Sequence, residues 1–146
     1  MRSEELQYKE TGMAGKYIKL PTFAGERGSL TAVEECADAP FNIRRAFFLY
    51  DLPADAHRGR HAYRHKELVV CLTGACGVSV DDGRIEESFI LNEPTTALYI
   101  PENTWRDIHD FVPGTVLAVL SDAPFSDKDY IWDREEFHRE RNSELK

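Results

Sequence analysis

Residues 58–74 read RGRHAYRHKELVVCLTG, and they carry the strongest indication of the fold. Its second half is apolar throughout residues 68–72, which predicts a strand buried between two layers. Its first half carries polar side chains at every second position: His61, Tyr63, His65 and Glu67. If this half is also a strand, the four side chains share one face. That face either meets solvent or lines a polar pocket, and periodicity alone leaves both interpretations open.

Short β-rich runs flank this stretch on both sides. They cover residues 17–20, 29–34, 45–50, 77–80, 88–91, 97–100 and 115–120. Residues 81–83, Asp-Asp-Gly, predict a tight hairpin because Asp-Gly accepts the positive φ that such a turn needs. No amphipathic helix separates the runs, so the pattern predicts an all-β antiparallel jelly roll or barrel. Residues 127–141 predict a short C-terminal helix that packs on the barrel.

Length and charge set further limits on the chain. Its 146 residues fit one domain, which we expect over residues 17–146 after a polar lead-in at 1–16. The net charge of −8 argues against nucleic acid or an anionic membrane as a partner. We find no apolar run near the roughly 20 residues of a membrane span, and no signal-peptide core at the start. The cysteines fit no metal-binding spacing, so a reduced cytoplasmic protein is expected.

The polar segment resembles the first motif of the cupin family. His61, Tyr63, Glu67 and Gly74 follow the spacing His-x-His-x3-Glu-x6-Gly, with tyrosine at the second histidine. The second cupin motif, Pro-x-Gly-x2-His, is matched at residues 101–106, where Asn103 replaces the glycine and Arg106 the histidine. In a metal cupin these positions hold the ion, but arginine has no lone pair to offer. The resemblance therefore implies a cupin pocket with no metal or other cofactor, which works by acid and base chemistry.

A closer resemblance covers residues 18–137. The chain is similar to the nucleotide-sugar 3,4-ketoisomerases, metal-free cupins that act on dTDP-4-keto-6-deoxyglucose. The short sequence segments that match the family occur in the same order, at residues 27–30, 34–35, 40–45, 47–51, 58–62, 70–74, 80–83, 91–94, 98–101, 105, 110–111 and 129–131. Two departures stand out, since the family usually has histidine at the position of Tyr63 and glutamine at that of Glu67.

This resemblance implies an isomerase that moves a sugar carbonyl from C4 to C3 through an enediol, in deoxyamino-sugar biosynthesis. His61, with an ordinary pKa near 6.5, would be the base. Tyr63 would donate a proton, and Arg106 would stabilise the enediolate or hold a phosphate. Further residues are implied in substrate binding, the arginines for the diphosphate: Arg27, Arg45, Arg58, Glu67 and Trp105.

Other interpretations stay open at this point. His61 can be a structural histidine, Tyr63 a space-filling side chain, and each arginine a solvated surface residue. Glu67 can orient His61 or pair with an arginine. The chain as a whole can be a nucleotide-sugar-binding module that has lost turnover, or an enzyme resembling the 3,5-epimerases. Family members pair and a small jelly roll leaves open sheet edges, so we expect a homodimer.

Overall fold

The structure is a computed structural model that describes residues 14–144. Two five-stranded antiparallel sheets face each other, and a separate hairpin and one C-terminal helix complete the chain. The strands are β1 (Lys16–Lys19), β2 (Thr22–Gly25), β3 (Gly28–Thr31), β4 (Arg45–Leu49), β5 (Arg58–Tyr63), β6 (Glu67–Thr73), β7 (Cys76–Asp81), β8 (Glu86–Leu91), β9 (Thr96–Ile100), β10 (Thr104–His109), β11 (Val116–Ser121) and β12 (Tyr130–Ile131). A 3₁₀ turn (Asp127–Asp129) precedes β12, and the helix α1 spans Arg134–Glu144.

The first sheet has the order β1-β9-β6-β11-β4, and the second has the order β12-β5-β10-β7-β8. Strands β2 and β3 pair only with each other. Every paired strand runs antiparallel to its neighbour. This arrangement confirms the predicted all-β cupin-type jelly roll with a short C-terminal helix.

The core lies between the two sheets and on the outer face of each. Side chains such as Val69 and Val78 fill the space between the sheets. On β6 the alternate residues Leu68 and Val70 belong to a second cluster outside the first sheet. Residues 67–71 are buried, so the prediction of a strand buried on both faces is confirmed, and only the end of β6 emerges. Helix α1 covers the second sheet through the fully buried Phe137.

Residues 58–67 do not form one continuous strand. The expectation that His61, Tyr63, His65 and Glu67 share one strand face was therefore wrong. Strand β5 ends at Tyr63, the chain bends at Arg64 and His65, and β6 begins at Glu67 in the other sheet. His65 leaves the shared face, because its ring nitrogens lie 3.7 and 3.2 Å from carboxylates of Asp122 and Asp129. The bend carries the chain from one sheet to the other, so two facing strands share the polar side chains.

The C-terminal segment also differs in detail from its prediction. The predicted helix over 127–141 begins only at Arg134, and Tyr130 and Ile131 form β12 instead, which pairs with β5. The hairpin at residues 81–83 is confirmed, because Gly83 adopts a φ of 97° between β7 and β8.

The folded part of the chain begins before residue 17. Ala14 is fully buried in the core, and its backbone N–H donates to Glu87 at 2.6 Å. Residues 14–16, placed in the lead-in by the sequence, therefore pack with the domain, whereas residues 1–13 lie outside the described part. Within residues 14–144, no helix is long and apolar enough to cross a membrane.

Candidate active site

A cavity of about 220 Å³ opens between the two sheets. Strands β4, β6 and β11 line it from the first sheet, and β5, β10 and β12 from the second. Its lining residues are Phe47, Leu49, Arg58, Gly59, His61, Glu67, Val69, Arg106, Ile108, Val119, Phe125, Asp127, Tyr130 and Trp132. Polar groups sit among apolar walls here, which is the usual composition of a small-molecule site.

His61 reaches this cavity from β5, directly across the strand pair from Arg106 on β10. Its ring meets the rings of Tyr130 and Trp132 edge-on, with centroids 4.9 Å away in each case. Burial, and then the charges of Arg106 and Arg58, lower the pKa of His61 from 6.5 to about 3. The ordinary histidine pKa of 6.5 is therefore strongly lowered at this position. The imidazole is neutral at physiological pH, which is the form that accepts a proton.

Arg106 and Glu67 form a buried ion pair in the wall of the cavity. Nη1 of Arg106 donates to Oε1 of Glu67 at 2.6 Å, and their side chains are only 2% and 6% exposed. The Nε and Nη2 groups of Arg106 donate to the Thr104 carbonyl at 3.3 and 3.1 Å. The second oxygen of Glu67 accepts from Ser121 Oγ at 2.8 Å. Arg106 thus offers its remaining N–H groups to a ligand, while Glu67 neutralises its charge.

This pairing decides between the two roles left open for Glu67. The carboxylate binds Arg106, and within residues 14–144 the buried Nδ1 of His61 has no hydrogen-bond partner. Glu67 therefore does not orient His61. The turn before β10 has the shape that the second cupin motif requires, because Asn103 adopts a φ of 57°.

Tyr63 shares the inward face of β5 with His61 but does not line the cavity. It is fully buried and stacks on Tyr130, with ring centroids 4.9 Å apart. The guanidinium groups of Arg45 and Arg106 each lie 5.9 Å from its ring centroid. Burial raises the pKa of Tyr63 to about 12, so the phenol keeps its proton. The phenol that the structure places in the cavity wall is that of Tyr130.

Tyr130 is among the cavity residues that the sequence did not indicate, because the pattern over residues 127–141 predicts a helix. In β12 its side chain points between the sheets, and its hydroxyl accepts a hydrogen bond of 3.0 Å from Nη2 of Arg45. Arg45 is held by the rings of Phe47 and Phe125, whose centroids lie 4.8 and 5.4 Å from its guanidinium carbon. The sequence segment 129–131, which matches the family, could have indicated this residue, because it includes Tyr130 among the residues that family members share.

The mouth of the cavity carries exposed aromatic and charged side chains. Trp132 and Phe125 are 66% and 62% exposed although both line the cavity. Arg58 is exposed at the same opening. An exposed cation and two exposed rings that line one cavity suit a ligand that joins an anionic group to an aromatic base.

Two predicted substrate-binding residues lie away from the cavity. Arg27 is in the exposed turn between β2 and β3. Trp105 points to the opposite face of β10 from Arg106, since side chains alternate along a strand. There it packs on Phe137, with ring centroids 6.1 Å apart, and under the guanidinium of Arg134. Of the predicted site residues, the structure brings His61, Arg58, Glu67 and Arg106 together in the cavity wall. Arg45 does not line the cavity, but it contacts Tyr130 and Glu67, which do.

Comparison with known proteins places this geometry in a family. Residues 13–142 match the family described as FdtA: WxcM-like, C-terminal. The TDP-4-oxo-6-deoxy-alpha-D-glucose-3,4-oxoisomerase of Aneurinibacillus thermoaerophilus is 36% identical over 87% of this chain and 92% of its own. A 3,4-ketoisomerase from Helicobacter canadensis superposes with a TM-score of 0.86 at 35% identity, covering 89% and 98% of the two chains. A mutant 3,4-ketoisomerase of Thermoanaerobacterium thermosaccharolyticum, in complex with TDP-4-keto-6-deoxyglucose, gives 0.85 at 29% identity, with 89% and 95% covered. The chain therefore belongs to the FdtA family.

Proposed function

We propose that this protein is a sugar 3,4-ketoisomerase that converts dTDP-4-keto-6-deoxyglucose into a dTDP-3-keto-6-deoxyhexose, in deoxyamino-sugar biosynthesis. The observation that carries the proposal is the position of His61 in the cavity wall, directly across the strand pair from Arg106. The named activities of similar proteins support the same reaction.

The proposed reaction needs a base, a donor set for the enediolate, and proton delivery to C4. His61 removes the proton from C3, and the N–H groups of Arg106 that Glu67 and Thr104 leave free stabilise the oxygen that gains charge. The low pKa of His61 makes it a weak base, so the reaction relies on the donors that stabilise the enediolate.

The cavity is too small for a whole nucleotide sugar, so we expect only one end of the ligand to enter it. Its volume of about 220 Å³ is below the roughly 300–1,000 Å³ of complete small-molecule sites. The sugar end fits inside, so the diphosphate would meet Arg58 at the mouth and the base would contact the exposed rings of Trp132 and Phe125. The experiment that tests the proposed isomerase activity is NMR of dTDP-4-keto-6-deoxyglucose incubated with the protein in D₂O. A carbonyl moved to C3 supports the proposal, whereas deuterium at C3 and C5 without that movement indicates an epimerase, and no change indicates a binding module.

We propose that the reaction needs no metal, since two of the four cupin ligand positions hold Tyr63 and Arg106 and a third, Glu67, is bound by Arg106. Full activity after exhaustive chelation is expected. Activity that chelation abolishes and a divalent metal restores contradicts this.

We also propose a homodimer in the cytoplasm. The hairpin of β2 and β3 exposes two large apolar side chains, Phe23 and Leu30, at 66% and 59%, and a second copy can cover them. The free thiols of Cys36, Cys71 and Cys76 fit a reducing compartment. Sedimentation at micromolar concentration should give a dimer, and a monomer contradicts the first part of this proposal.

A further inference from the structure

We propose that the Tyr130 hydroxyl relays a proton between the two oxygens of the sugar during isomerisation, with Arg45 as the cation that supports it. This inference rests on the proposed function, because it assigns the second proton transfer that a 3,4-ketoisomerase must perform. Neither residue was assigned this role by the sequence, where Arg45 was expected to bind the diphosphate.

Position is the first support for this role. Tyr130 and His61 lie on neighbouring strands, β12 and β5, and both line the cavity. Their rings meet edge-on with centroids 4.9 Å apart. A sugar carbon presented to His61 therefore has its attached oxygens within the part of the cavity that Tyr130 borders.

Hydrogen bonding is the second support. The guanidinium of Arg45 can only donate, so the 3.0 Å bond to Tyr130 uses a lone pair of the hydroxyl and leaves its proton available. The same cation stabilises the oxygen when that proton leaves. Arg45 is held in place for this task, since its side chain is 18% exposed and contacts the rings of Phe47 and Phe125, and Glu67 Oε2 lies 3.8 Å from its Nη2.

His61 and Tyr130 together account for every proton that moves in the reaction. His61 takes the proton from C3 while Tyr130 gives its own proton to O4, which produces a neutral 3,4-enediol and a phenolate paired with Arg45. The phenolate then takes the proton from O3 as His61 returns a proton to C4. The C3 carbonyl forms, and both residues end as they began. No oxidant, reductant or additional reactant is required.

Two other polar groups nearby, Tyr63 and Glu67, are less suited to this relay. Tyr63 is fully buried and does not line the cavity. Glu67 already accepts from Arg106 and Ser121. Tyr130 is the phenol that combines a place in the cavity wall with a cationic partner.

The test compares Tyr130→Phe with the wild-type protein on dTDP-4-keto-6-deoxyglucose in D₂O. Phenylalanine keeps the ring that stacks on Tyr63 and removes only the hydroxyl. Product formation and deuterium uptake at C3 of recovered substrate are both measured by NMR. Return from the enolate to substrate needs no oxygen proton, whereas product formation does. We expect product formation to fall by about 100-fold or more, the scale of acid–base catalysis, and the ratio of exchange to product to rise at least about tenfold.

Two further variants and a binding measurement separate a relay from a structural role. Tyr50→Phe removes a hydroxyl from an exposed tyrosine outside the cavity wall and should leave both rates unchanged. Binding of dTDP, followed by Trp132 fluorescence, should be the same in Tyr130→Phe as in the wild type. The relay is overturned if the ratio does not rise, if dTDP affinity falls in parallel with product, or if Tyr63→Phe raises the ratio and Tyr130→Phe does not. A wild-type protein that forms no 3-keto product instead overturns the proposed function, and the relay with it.

Discussion

Replacing Glu67 by glutamine tests the buried ion pair on which the site is built. Glutamine has nearly the same shape and can still accept a hydrogen bond, but it leaves the guanidinium of Arg106, 2% exposed, without a counter-charge. Removing one partner of a buried pair costs about 3–5 kcal/mol of unfolding free energy. The Thr104 carbonyl still accepts from Arg106 and the Tyr63 ring still lies beside it, so we expect the lower end, about 3 kcal/mol. At roughly 2–4 °C per kcal/mol for a chain of this size, the Tm should fall by about 6–12 °C.

The assay is urea unfolding and thermal melting followed by circular dichroism. Glu102→Gln is the matched control, because Glu102 is 49% exposed and its oxygen lies 3.8 Å from Lys66 Nζ. That exposed pair should contribute less than about 1 kcal/mol. In Glu67→Gln the unbalanced charge of Arg106 also lowers the pKa of His61 further, so turnover should fall as well. A Glu67→Gln protein that is no less stable than the Glu102→Gln control would show that the buried ion pair does not stabilise the fold.

Three other predictions concern His61 and the mouth of the cavity. His61→Asn should lower turnover by about 10²–10⁴-fold, as loss of a general base does, while dTDP affinity measured by calorimetry changes little; near wild-type turnover would remove His61 from the mechanism. Arg58→Ala should weaken dTDP binding by about 1.5–3 kcal/mol, the scale of a charge-assisted hydrogen bond, and unchanged affinity would place the diphosphate elsewhere. The pKa of His61 is about 3 when folded against 6.5 as a free side chain, so the unfolded state binds the proton first as the pH falls. The stability that this group contributes above pH 6.5 should therefore be lost between pH 6.5 and 3, and acid titrations should show a smaller loss in His61→Asn; an identical loss would contradict the low pKa.

The two-layer fold could be predicted from the sequence because the features that indicate it lie within short contiguous segments. An apolar run at residues 68–72 needs cover on both faces, and an Asp-Gly turn favours a hairpin. The hairpin forms, and residues 68–71 are buried, with Leu72 exposed at the end of the strand. The bend at Arg64 and His65 was not predictable in the same way. It contains no glycine or proline, and the chain turns there because Tyr63 and Glu67 belong to facing sheets. Strand β12 was missed for a related reason, since it has two residues and exists only through its pairing with β5.

The inward positions of two side chains were predictable, because the alternation of a strand could be applied to them. His61 and Arg106 face inward, as the cupin spacing indicated. The same rule, applied once more, places Trp105 outward, because neighbouring residues on β10 cannot both enter the cavity. The pairing of Glu67 with Arg106 depends on two strands from different sheets, so no spacing along the chain could select it over an interaction with His61. The lowered pKa of His61 likewise depends on burial, which the sequence does not display.

The two departures from the family's usual residues belong to one network in this chain. Glutamine at position 67 would leave Arg106 buried with an uncompensated charge, whereas the glutamate present here binds it at 2.6 Å. The ring of Tyr63 lies beside that same guanidinium, and Tyr63 in turn supports Tyr130 by stacking. A histidine at position 63 could carry a second charge next to Arg106 and Arg45, and the phenol avoids that repulsion. The tyrosine and the glutamate thus both favour a buried arginine at position 106. This is why we expect the proton donor to have moved from residue 63 to Tyr130, the phenol that Tyr63 positions in the cavity wall.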